Sequence, residues 1–234
     1  MQIENAKALV TGGSSGIGFA TARLLKEKGA QVAICGRNRE RLERAAAELG
    51  AVAIHADVSS ESDVAGMVKT VVDAFGDYNV LINNAGFGHR SPLVDTKLDD
   101  LQRIFATNVF GALLVARESA RHFVQRQYGN IVNVSSSAGK RGFANGSVYV
   151  ASKFALSGLT ECWRAELRQF NVRVMQVNPS EVQTDFFTSY SGAARPKSAR
   201  KLIADDIAQA IVSMLELHDR GFVTETSVWA TNPD

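Results

Sequence analysis

A predicted strand that leads directly into a glycine-rich turn limits what the start of this chain can fold into. Residues 6–11 (Ala-Lys-Ala-Leu-Val-Thr) predict a short buried strand, and residues 16–28 predict a helix. The turn between them carries Gly12, Gly16 and Gly18. Small residues let the backbone approach a bound phosphate, and a helix N-terminus presents unpaired N–H groups to it. The turn therefore indicates a phosphate site, the alternative being that its glycines serve only its shape.

Strand and helix patterns alternate along the rest of the chain. Ser60 has the position of a helix N-cap, with Asp63 three residues later in an acidic variant of the capping box. Such alternation indicates βαβ units and a parallel sheet, with a ligand cleft at the carboxyl ends of the first and fourth strands, where the strand order reverses. The other predicted strands are residues 31–35, 52–56, 80–83, 130–135 and 172–177, and the other predicted helices are 39–49, 61–75, 98–127 with an interruption near Asn108, and 149–170.

Charge and cysteine content argue against several function classes. Lysine and arginine number 26 against 24 acidic residues, so the net charge of +2 favours neither nucleic acid nor an anionic membrane as a partner. No apolar run approaches the ~18 residues of a membrane helix, and we expect neither a signal peptide nor a membrane segment. Cys35 and Cys162 lack metal-ligand spacing, and we expect both to be small buried side chains in a reducing compartment, the cytoplasm.

Tyr149 and Lys153 stand four residues apart in a predicted helix, so both side chains project from the same face. A free tyrosine titrates near ~10, and a neighbouring cation can lower that pKa by roughly 1–3 units. Such a shift would bring the phenol toward the range in which general acid–base catalysis is efficient. The pair alone decides nothing, because tyrosine and lysine at this spacing are common on amphipathic helices.

Five signatures occur in one order, and together they resemble the short-chain dehydrogenase/reductase family. They are Thr11-Gly12-x-x-x-Gly16-x-Gly18, Asp57-Val58, Asn83-Asn84-Ala85-Gly86, Asn108, and Ser136 with Tyr149-x-x-x-Lys153. The resemblance runs from about residue 5 to about residue 185. It implies an α/β fold of the Rossmann type, with a doubly wound parallel sheet in three layers, in which residues 1–234 form one NAD(P)-binding domain.

The resemblance also implies roles for individual residues. Ser136 would hold the substrate carbonyl oxygen, and Tyr149 would deliver the proton. Lys153 would lower the tyrosine pKa and hold the nicotinamide ribose, while Asn108 would fix a water that feeds the relay. The cofactor-binding residues that the family pattern implies are Gly12, Ser14, Ser15, Gly16, Ile17, Gly18, Arg37, Asn38, Asp57, Val58, Asn84, Ala85, Gly86, Tyr149, Lys153, Pro179, Val182 and Thr184.

The end of the second predicted strand bears on which nicotinamide cofactor is used. An acidic residue there would bond the adenosine ribose hydroxyls and repel a 2′-phosphate, whereas an arginine does the reverse. This chain has Gly36-Arg37-Asn38 at that turn, followed by Arg39, and no acid. We therefore expect NADP (NADPH), the alternative being that Arg37 is a solvated surface charge and that the cofactor is NAD.

Two later segments depart from the family pattern or are poorly defined by it. Ser180 stands where the family usually has a glycine after Pro179, so either its β-carbon narrows the nicotinamide site or the backbone there suits serine. Residues 185–202 correspond to the family's substrate lid, a solvated basic loop being the alternative. Candidates for the opposite wall of the substrate site are Phe87, His89, Arg90 and Phe143.

The expected activity is hydride transfer between the nicotinamide and a small-molecule carbonyl or secondary alcohol, mainly as ketone or aldehyde reduction. A 3-oxoacyl-[acyl-carrier-protein] reductase is one candidate, but the positions that dock the acidic carrier hold Gln127 and Phe170, with Arg126 and Arg168 only nearby. An NAD-dependent alcohol dehydrogenase is the main alternative. A non-catalytic cofactor sensor is a remote one, because the tyrosine and lysine are both present.

The family usually assembles through its fourth and fifth helices, and often through its last strand. Here the chain ends in apolar stretches at residues 222–224 and 228–230, which a monomer would cover poorly. We therefore expect a homodimer or homotetramer with two-fold symmetry.

Overall fold

The computed structural model describes residues 1–184, 186 and 198–232. The strands are β1 (Lys7–Thr11), β2 (Gln31–Gly36), β3 (Val52–His55), β4 (Val80–Asn83), β5 (Gly129–Val134), β6 (Val172–Pro179) and β7 (Glu225–Val228). The α-helices are α1 (Gly16–Glu27), α2 (Arg39–Leu49), α3 (Glu61–Phe75), α4 (Leu98–Phe105), α5 (Ala112–Arg126), α6 (Ser147–Leu167) and α7 (Ala204–Glu216).

The described strands form one parallel sheet in the order β3-β2-β1-β4-β5-β6-β7. Ala8 of β1 is in register with Val32 of β2 on one side and with Val80 of β4 on the other. Strand order therefore reverses between β1 and β4, and a doubly wound sheet leaves a crevice at the carboxyl ends of the strands at such a point. The predicted three-layer α/β fold of the Rossmann type is confirmed.

Adjacent residues of each central strand pack into two different core layers, because side chains alternate across a sheet. Leu9 and Leu81 lie in the layer beneath α3, α5 and α6, together with Phe123. Val10 and Ile82 lie in the layer beneath α1, α2 and α7. All five side chains are fully buried, and each contributes roughly 1.5–3 kcal/mol relative to an exposed position. Burial on both faces fixes the register, and with it the position of every strand end.

A π-helical turn, Ala106–Gly111, separates α4 from α5. The predicted interruption of this long helix near Asn108 is therefore confirmed. The capping of α3 also agrees with the sequence, because the Ser60 hydroxyl accepts a hydrogen bond from the Asp63 N–H at 3.3 Å. The Asp63 carboxylate departs from the usual capping box, since it accepts from the N–H of Asp57 at 3.0 Å. That contact ties the start of α3 to the end of the third strand.

Two elements near the C-terminus were not predicted. In α7, Ile207, Ile211 and Leu215 repeat every four residues and are fully buried in the layer shared with α1. The strand Glu225–Val228 extends the sheet beside β6. Helix α6 also begins at Ser147, two residues earlier than predicted, and its last predicted residues form a separate 3-10 turn.

Both cysteines are free thiols, but only Cys35 is buried; Cys162 is exposed on α6, so its predicted burial is wrong. Cys162 lies on the side of the helix that is turned away from the sheet.

The predicted lid at residues 185–202 lies outside the described residues apart from Phe186 and residues 198–202. Within the described ranges, no helix is both long enough and apolar enough to span a lipid bilayer.

Candidate active site

A cleft of about 1330 Å³ lies at the carboxyl ends of the central strands, where the strand order reverses. Such crevices are the usual ligand sites of doubly wound sheets. Eighteen of the predicted site residues line it: Gly12, Ser14, Ser15, Gly16, Ile17, Arg37, Asn38, Asp57, Val58, Asn84, Ala85, Gly86, Ser136, Tyr149, Lys153, Pro179, Val182 and Thr184. The two that do not line it are Gly18 and Asn108.

The glycine-rich turn fits a pyrophosphate. Gly12 and Gly16 have φ of +64° and +56°, a region that favours glycine. A β-carbon on Gly18 would lie 2.4 Å from the carbonyl oxygen of Gly12, so this glycine allows α1 to pack against the turn. The Ser15 side chain makes no capping hydrogen bond to α1, and the first turn of α1 carries no acid. The N-terminal N–H groups of α1 are therefore suited to bind an anion at the cleft.

Asn84 and Ala85 are locked against the end of β1. Both backbone N–H groups donate to the Thr11 hydroxyl at 2.9 Å, and the Asn84 amide donates to the Thr11 carbonyl at 2.9 Å. A β-carbon on Gly86 would lie 3.0 Å from the Asn108 Oδ1, so glycine leaves room for that side chain. This segment forms the floor of the cleft between the glycine-rich turn and the reactive residues.

At the end of β2, Arg37 and Arg41 line the cleft, whereas Arg39 does not. Arg37 lines the cleft, and its Nη1 lies 3.8 Å from an Asp57 carboxylate oxygen. Arg39 does not line the cleft but forms an ion pair with Glu43 along α2 at 3.6 Å. Arg41 takes its place. The sequence analysis did not name Arg41. An asparagine before the helix is a readable N-cap signal, and the Asn38 side chain accepts a hydrogen bond from the Arg41 N–H at 2.8 Å.

Asp57 and Val58 form the wall of the cleft next to this basic pair. The Asp57 carboxylate accepts hydrogen bonds from the Ser59 N–H at 2.9 Å and the Ser59 hydroxyl at 2.7 Å. Val58 is buried, and a β-carbon on Gly111 of the π turn would lie 2.7 Å from a Val58 methyl group. The close approach of the π turn holds Val58 in position, where an apolar side chain suits one face of a planar base.

Ser136 and Tyr149 meet where β5 ends and α6 begins. The Ser136 hydroxyl accepts a hydrogen bond from the Ala138 N–H at 3.1 Å and is also hydrogen-bonded to the Tyr149 phenol. Tyr149 is only 7% exposed. Burial raises its pKa to about 12, while the hydrogen bond to Ser136 and the nearby charge of Arg90 act in the opposite direction. The phenol is therefore protonated at neutral pH.

Lys153 is buried beside this tyrosine, but it does not act on the phenol as predicted. Its Nζ donates to the Val134 carbonyl at 3.0 Å and lies 5.8 Å from the centroid of the Tyr149 ring. Burial lowers the lysine pKa to about 8. The cation faces the ring and a carbonyl instead of the phenol oxygen, so the predicted lowering of the tyrosine pKa is wrong for the chain by itself. An ammonium with this pKa exchanges protons readily near neutral pH.

Asn108 lies behind the cleft in the π turn and is 1% exposed. Its amide donates to the Phe87 carbonyl at 3.0 Å and to the Ser152 hydroxyl at 3.2 Å, and its Oδ1 accepts from the Phe87 N–H at 3.0 Å. The side chain is thus fully engaged in joining the loop after β4 to α6. If Asn108 holds a water, as predicted, its main-chain groups must do so. A π turn displaces main-chain groups from their usual helical partners, and such turns are frequent at functional sites.

The segment after β6 closes the cleft opposite the glycine-rich turn. The Ser180 N–H donates to the Val228 carbonyl at 2.9 Å, which continues the pairing of β6 with β7. Positive φ angles occur at three described non-glycine residues, and Ser180 is not among them, so the backbone there suits serine. Thr184 faces the turn, since a β-carbon on Gly16 would lie 3.5 Å from its methyl group.

A smaller cavity of about 390 Å³ adjoins the large cleft and shares Ser136, Tyr149 and Ser180 with it. The predicted wall residues divide between the two spaces. Phe87 and His89 line the large cleft, whereas Arg90 and Phe143 line the smaller cavity. The hydroxyls of Ser136 and Tyr149 therefore stand at the junction of a long cleft, of a size that suits a dinucleotide, and a smaller space that suits a second small molecule.

Comparisons with known proteins agree with this geometry. The family profile described as short chain dehydrogenase matches residues 6–194. The dehydrogenase/reductase SDR family member 7B of Bos taurus is 34% identical over 194 residues; these cover 78% of this chain but 60% of that longer protein.

Two solved structures superimpose over nearly the whole chain. An alcohol dehydrogenase from Thermococcus sibiricus in complex with 5-hydroxy-NADP has a TM-score of 0.87 at 28% identity, covering 97% of this chain and 98% of that one. A 3-ketoacyl-(acyl-carrier-protein) reductase from Brucella melitensis in complex with NADH has a TM-score of 0.89 at 30% identity, covering 97% of each chain. Since the profile match spans most of the sequence and the fold agrees throughout, this chain belongs to the short-chain dehydrogenase family of oxidoreductases.

Proposed function

We propose that this protein is an NADP-dependent reductase of small ketones or aldehydes. The observation that carries the proposal is the Ser136–Tyr149 pair, which stands at the junction of the cleft and the smaller cavity. A hydrogen-bond donor and a protonated phenol at one point suit a carbonyl oxygen that must be oriented and then protonated.

The pKa of Tyr149 favours reduction over alcohol oxidation near neutral pH. A phenol with a pKa of about 12 is in its acid form there, and reduction needs the acid form. Ser136 orients the carbonyl oxygen, and Tyr149 gives its proton to that oxygen. The phenolate that is left regains a proton from water, and the Lys153 ammonium, buried beside the tyrosine ring, stabilises its negative charge. The nicotinamide supplies the hydride when it is bound.

Two arginines support NADP as the cofactor. Arg37 and Arg41 both line the cleft at the end of β2, where an acid would otherwise exclude a 2′-phosphate. The Thermococcus neighbour carries an NADP derivative, but the Brucella neighbour carries NADH. An NAD-dependent alcohol dehydrogenase therefore remains the second candidate, and Asp57 beside Arg37 is the feature that favours it.

An acyl-carrier-protein substrate has weaker support. Arg126, one of the two nearby basic residues, is already paired with Asp77 at 3.0 Å. Arg168 lies in the 3-10 turn after α6. We propose a small free carbonyl substrate instead. The two free thiols support the cytoplasm as the compartment.

The proposal is tested by incubating the purified protein with NADPH and a panel of ketones and aldehydes while NADPH absorbance is followed. We expect substrate-dependent NADPH consumption and recovery of the corresponding alcohol. The non-catalytic alternative predicts cofactor binding without consumption for every member of the panel. Consumption with NADH and not with NADPH would favour the second candidate.

We further expect the protein to be a homodimer or homotetramer. Phe110, Leu113 and Phe154, on the π turn, α5 and α6, are 54%, 37% and 47% exposed. Apolar side chains that are exposed together on neighbouring helices are typical of a symmetric interface. Light scattering at micromolar concentration should give a multiple of the 25.2 kDa chain mass, and Phe154→Arg should lower it. A 25.2 kDa particle for the unsubstituted protein would rule out the assembly.

A further inference from the structure

The described residues that line the smaller cavity beside Tyr149 include more cations than carboxylates, and the reductase chemistry does not require them. The cations are Arg90, Arg141 and Lys201, and the carboxylate is Glu181. The Lys201 Nζ lies 3.4 Å from the Glu181 carboxylate, so these two charges largely offset each other. Arg141 adds a further positive charge beside the point at which a carbonyl would react.

Arg141 is held in a fixed orientation by an aromatic side chain. Its guanidinium carbon lies 4.6 Å from the centroid of the Trp229 ring. Within the described part of the chain, no carboxylate lies within ion-pair distance of this guanidinium. A guanidinium stacked on a ring keeps its in-plane N–H groups available, and their fork geometry matches a carboxylate or phosphate.

Arg90 is arranged in a similar way on the other side of the cavity. Its guanidinium carbon lies 4.9 Å from the centroid of the Phe143 ring. Its charge also acts on the phenol of Tyr149, whose pKa it lowers, so it lies within electrostatic range of the reacting oxygen. Two stacked arginines and two aromatic rings thus surround a space that opens onto Ser136 and Tyr149.

We propose that the substrate carries an acidic group, a carboxylate or a phosphate, and that the smaller cavity binds this group through Arg141 while the carbonyl lies against Ser136 and Tyr149. The aromatic rings of Phe143 and Trp229 would pack against the carbon chain that joins the two groups. This inference rests on the proposed reductase function and narrows its substrate class. Arg141 is then a specificity-determining residue and takes no part in the proton transfer.

The kinetic test compares matched acids and neutral derivatives. A series of keto acids of increasing chain length, their methyl esters, and phosphate esters of hydroxyketones are assayed with NADPH. Because charge-assisted hydrogen bonds are involved, we expect at least one acid to exceed its neutral derivative by about 10-fold or more in kcat/KM. Arg141→Gln should lower the acid-to-ester ratio by a similar factor. Carboxylate and phosphate substrates are distinguished by which series shows the preference.

A matched control removes the same charge far from the cavity. Arg220 lies in the exposed turn after α7, next to Gly221, whose carbonyl contacts Arg173 near the start of β6. This is the amino-terminal end of the strands, opposite to the carboxyl ends at which the site lies. Arg220→Gln should leave the acid-to-ester ratio unchanged. Equal reduction of acids and esters by the unsubstituted protein, or an equal fall in both with Arg141→Gln, would overturn the proposal.

A binding measurement separates this inference from the reductase function. Trp229 lies in the cavity wall, so its fluorescence reports binding, and Trp229→Phe shows which part of the signal it supplies. In the presence of NADP⁺, pentanoate or butylphosphonate should bind about 10-fold or more tightly than pentanamide, and Arg141→Gln should remove the difference. If no carbonyl is reduced but this preference persists, the reductase function fails and the acid site stands. If neutral carbonyls are reduced but no acid preference appears in either assay, the acid site fails and the function stands.

Discussion

Tyr149→Phe should lower kcat by at least about 100-fold, the lower end for loss of a general acid, while NADPH binds nearly as before. The substitution removes the phenol that stands beside Ser136 and keeps the ring. That ring makes an edge contact with Phe186 at a centroid distance of 5.8 Å, and phenylalanine preserves it. Once the phenol is removed, water must replace the proton donor in the variant.

Two further variants distinguish loss of the proton donor from an indirect effect of the substitution. Tyr128→Phe removes a phenol that hydrogen-bonds to Asp219 at 3.3 Å, away from the cleft, and should keep full turnover. Ser136→Ala, in contrast, should lower kcat, because Ser136 orients the carbonyl oxygen. Turnover and NADPH affinity are measured on the same preparations. A Tyr149→Phe enzyme with undiminished turnover would contradict the proposed mechanism.

The central sheet was predictable because its strands are buried on both faces. Strands such as Val80–Asn83 carry continuous apolar runs bounded by turn residues, and their order along the chain with intervening helices leaves few topologies. The bounds of α2 and α3 agree with the sequence because both helices have a polar N-cap, Asn38 and Ser60, and a glycine in the left-handed conformation at the C-cap.

The last strand could not be found in the same way. Glu225–Val228 is short and polar, and its place in the sheet depends on partners far away in the sequence. The Glu225 carboxylate accepts hydrogen bonds from the side chains of Gln176 and Asn178 and pairs with Lys140 at 2.8 Å. These contacts form only once β6 and the turn after β5 are in place, so local propensity carries no sign of them.

The sequence predicted that Ser136, Tyr149 and Lys153 lie at one site, but it did not predict the pKa of the tyrosine. Spacing along α6 correctly brings Tyr149 and Lys153 to one face. The pKa of each depends on how deeply the sheet and the following loops bury it, and burial acts on the two in opposite directions. The side chains of Arg39 and Arg41 point in different directions, because two residues rotate a side chain by more than half a turn of the helix. The predicted start of α2 is correct, but which of the two faces the cleft depends on how α2 packs against the sheet.

The cofactor preference gives the second large expected effect. We expect NADPH to exceed NADH by roughly 10- to 150-fold in kcat/KM, which corresponds to the 1.5–3 kcal/mol of a charge-assisted hydrogen bond. The contact of Arg37 with Asp57 at 3.8 Å involves exposed side chains, so little free energy opposes turning Arg37 toward a phosphate. Arg41 lines the same part of the cleft and supplies a second cation.

Combining Gly36→Asp with Arg37→Leu should invert this preference. A β-carbon at Gly36 would lie 3.4 Å from the Ser14 hydroxyl, an ordinary contact, so the new side chain fits without moving the turn. Its carboxylate would repel a 2′-phosphate and accept hydrogen bonds from the free ribose hydroxyls.

Arg39→Leu is the matched control for this double variant. Because Arg39 pairs with Glu43 and does not line the cleft, the control should keep the NADPH preference. The cofactor preference of the unsubstituted enzyme, the double variant and the control is measured from initial rates with NADPH and NADH at a fixed carbonyl concentration. Equal use of NADH by the unsubstituted enzyme, or an unchanged preference in the double variant, would mean that Arg37 is a surface charge and that the end of β2 does not select the cofactor.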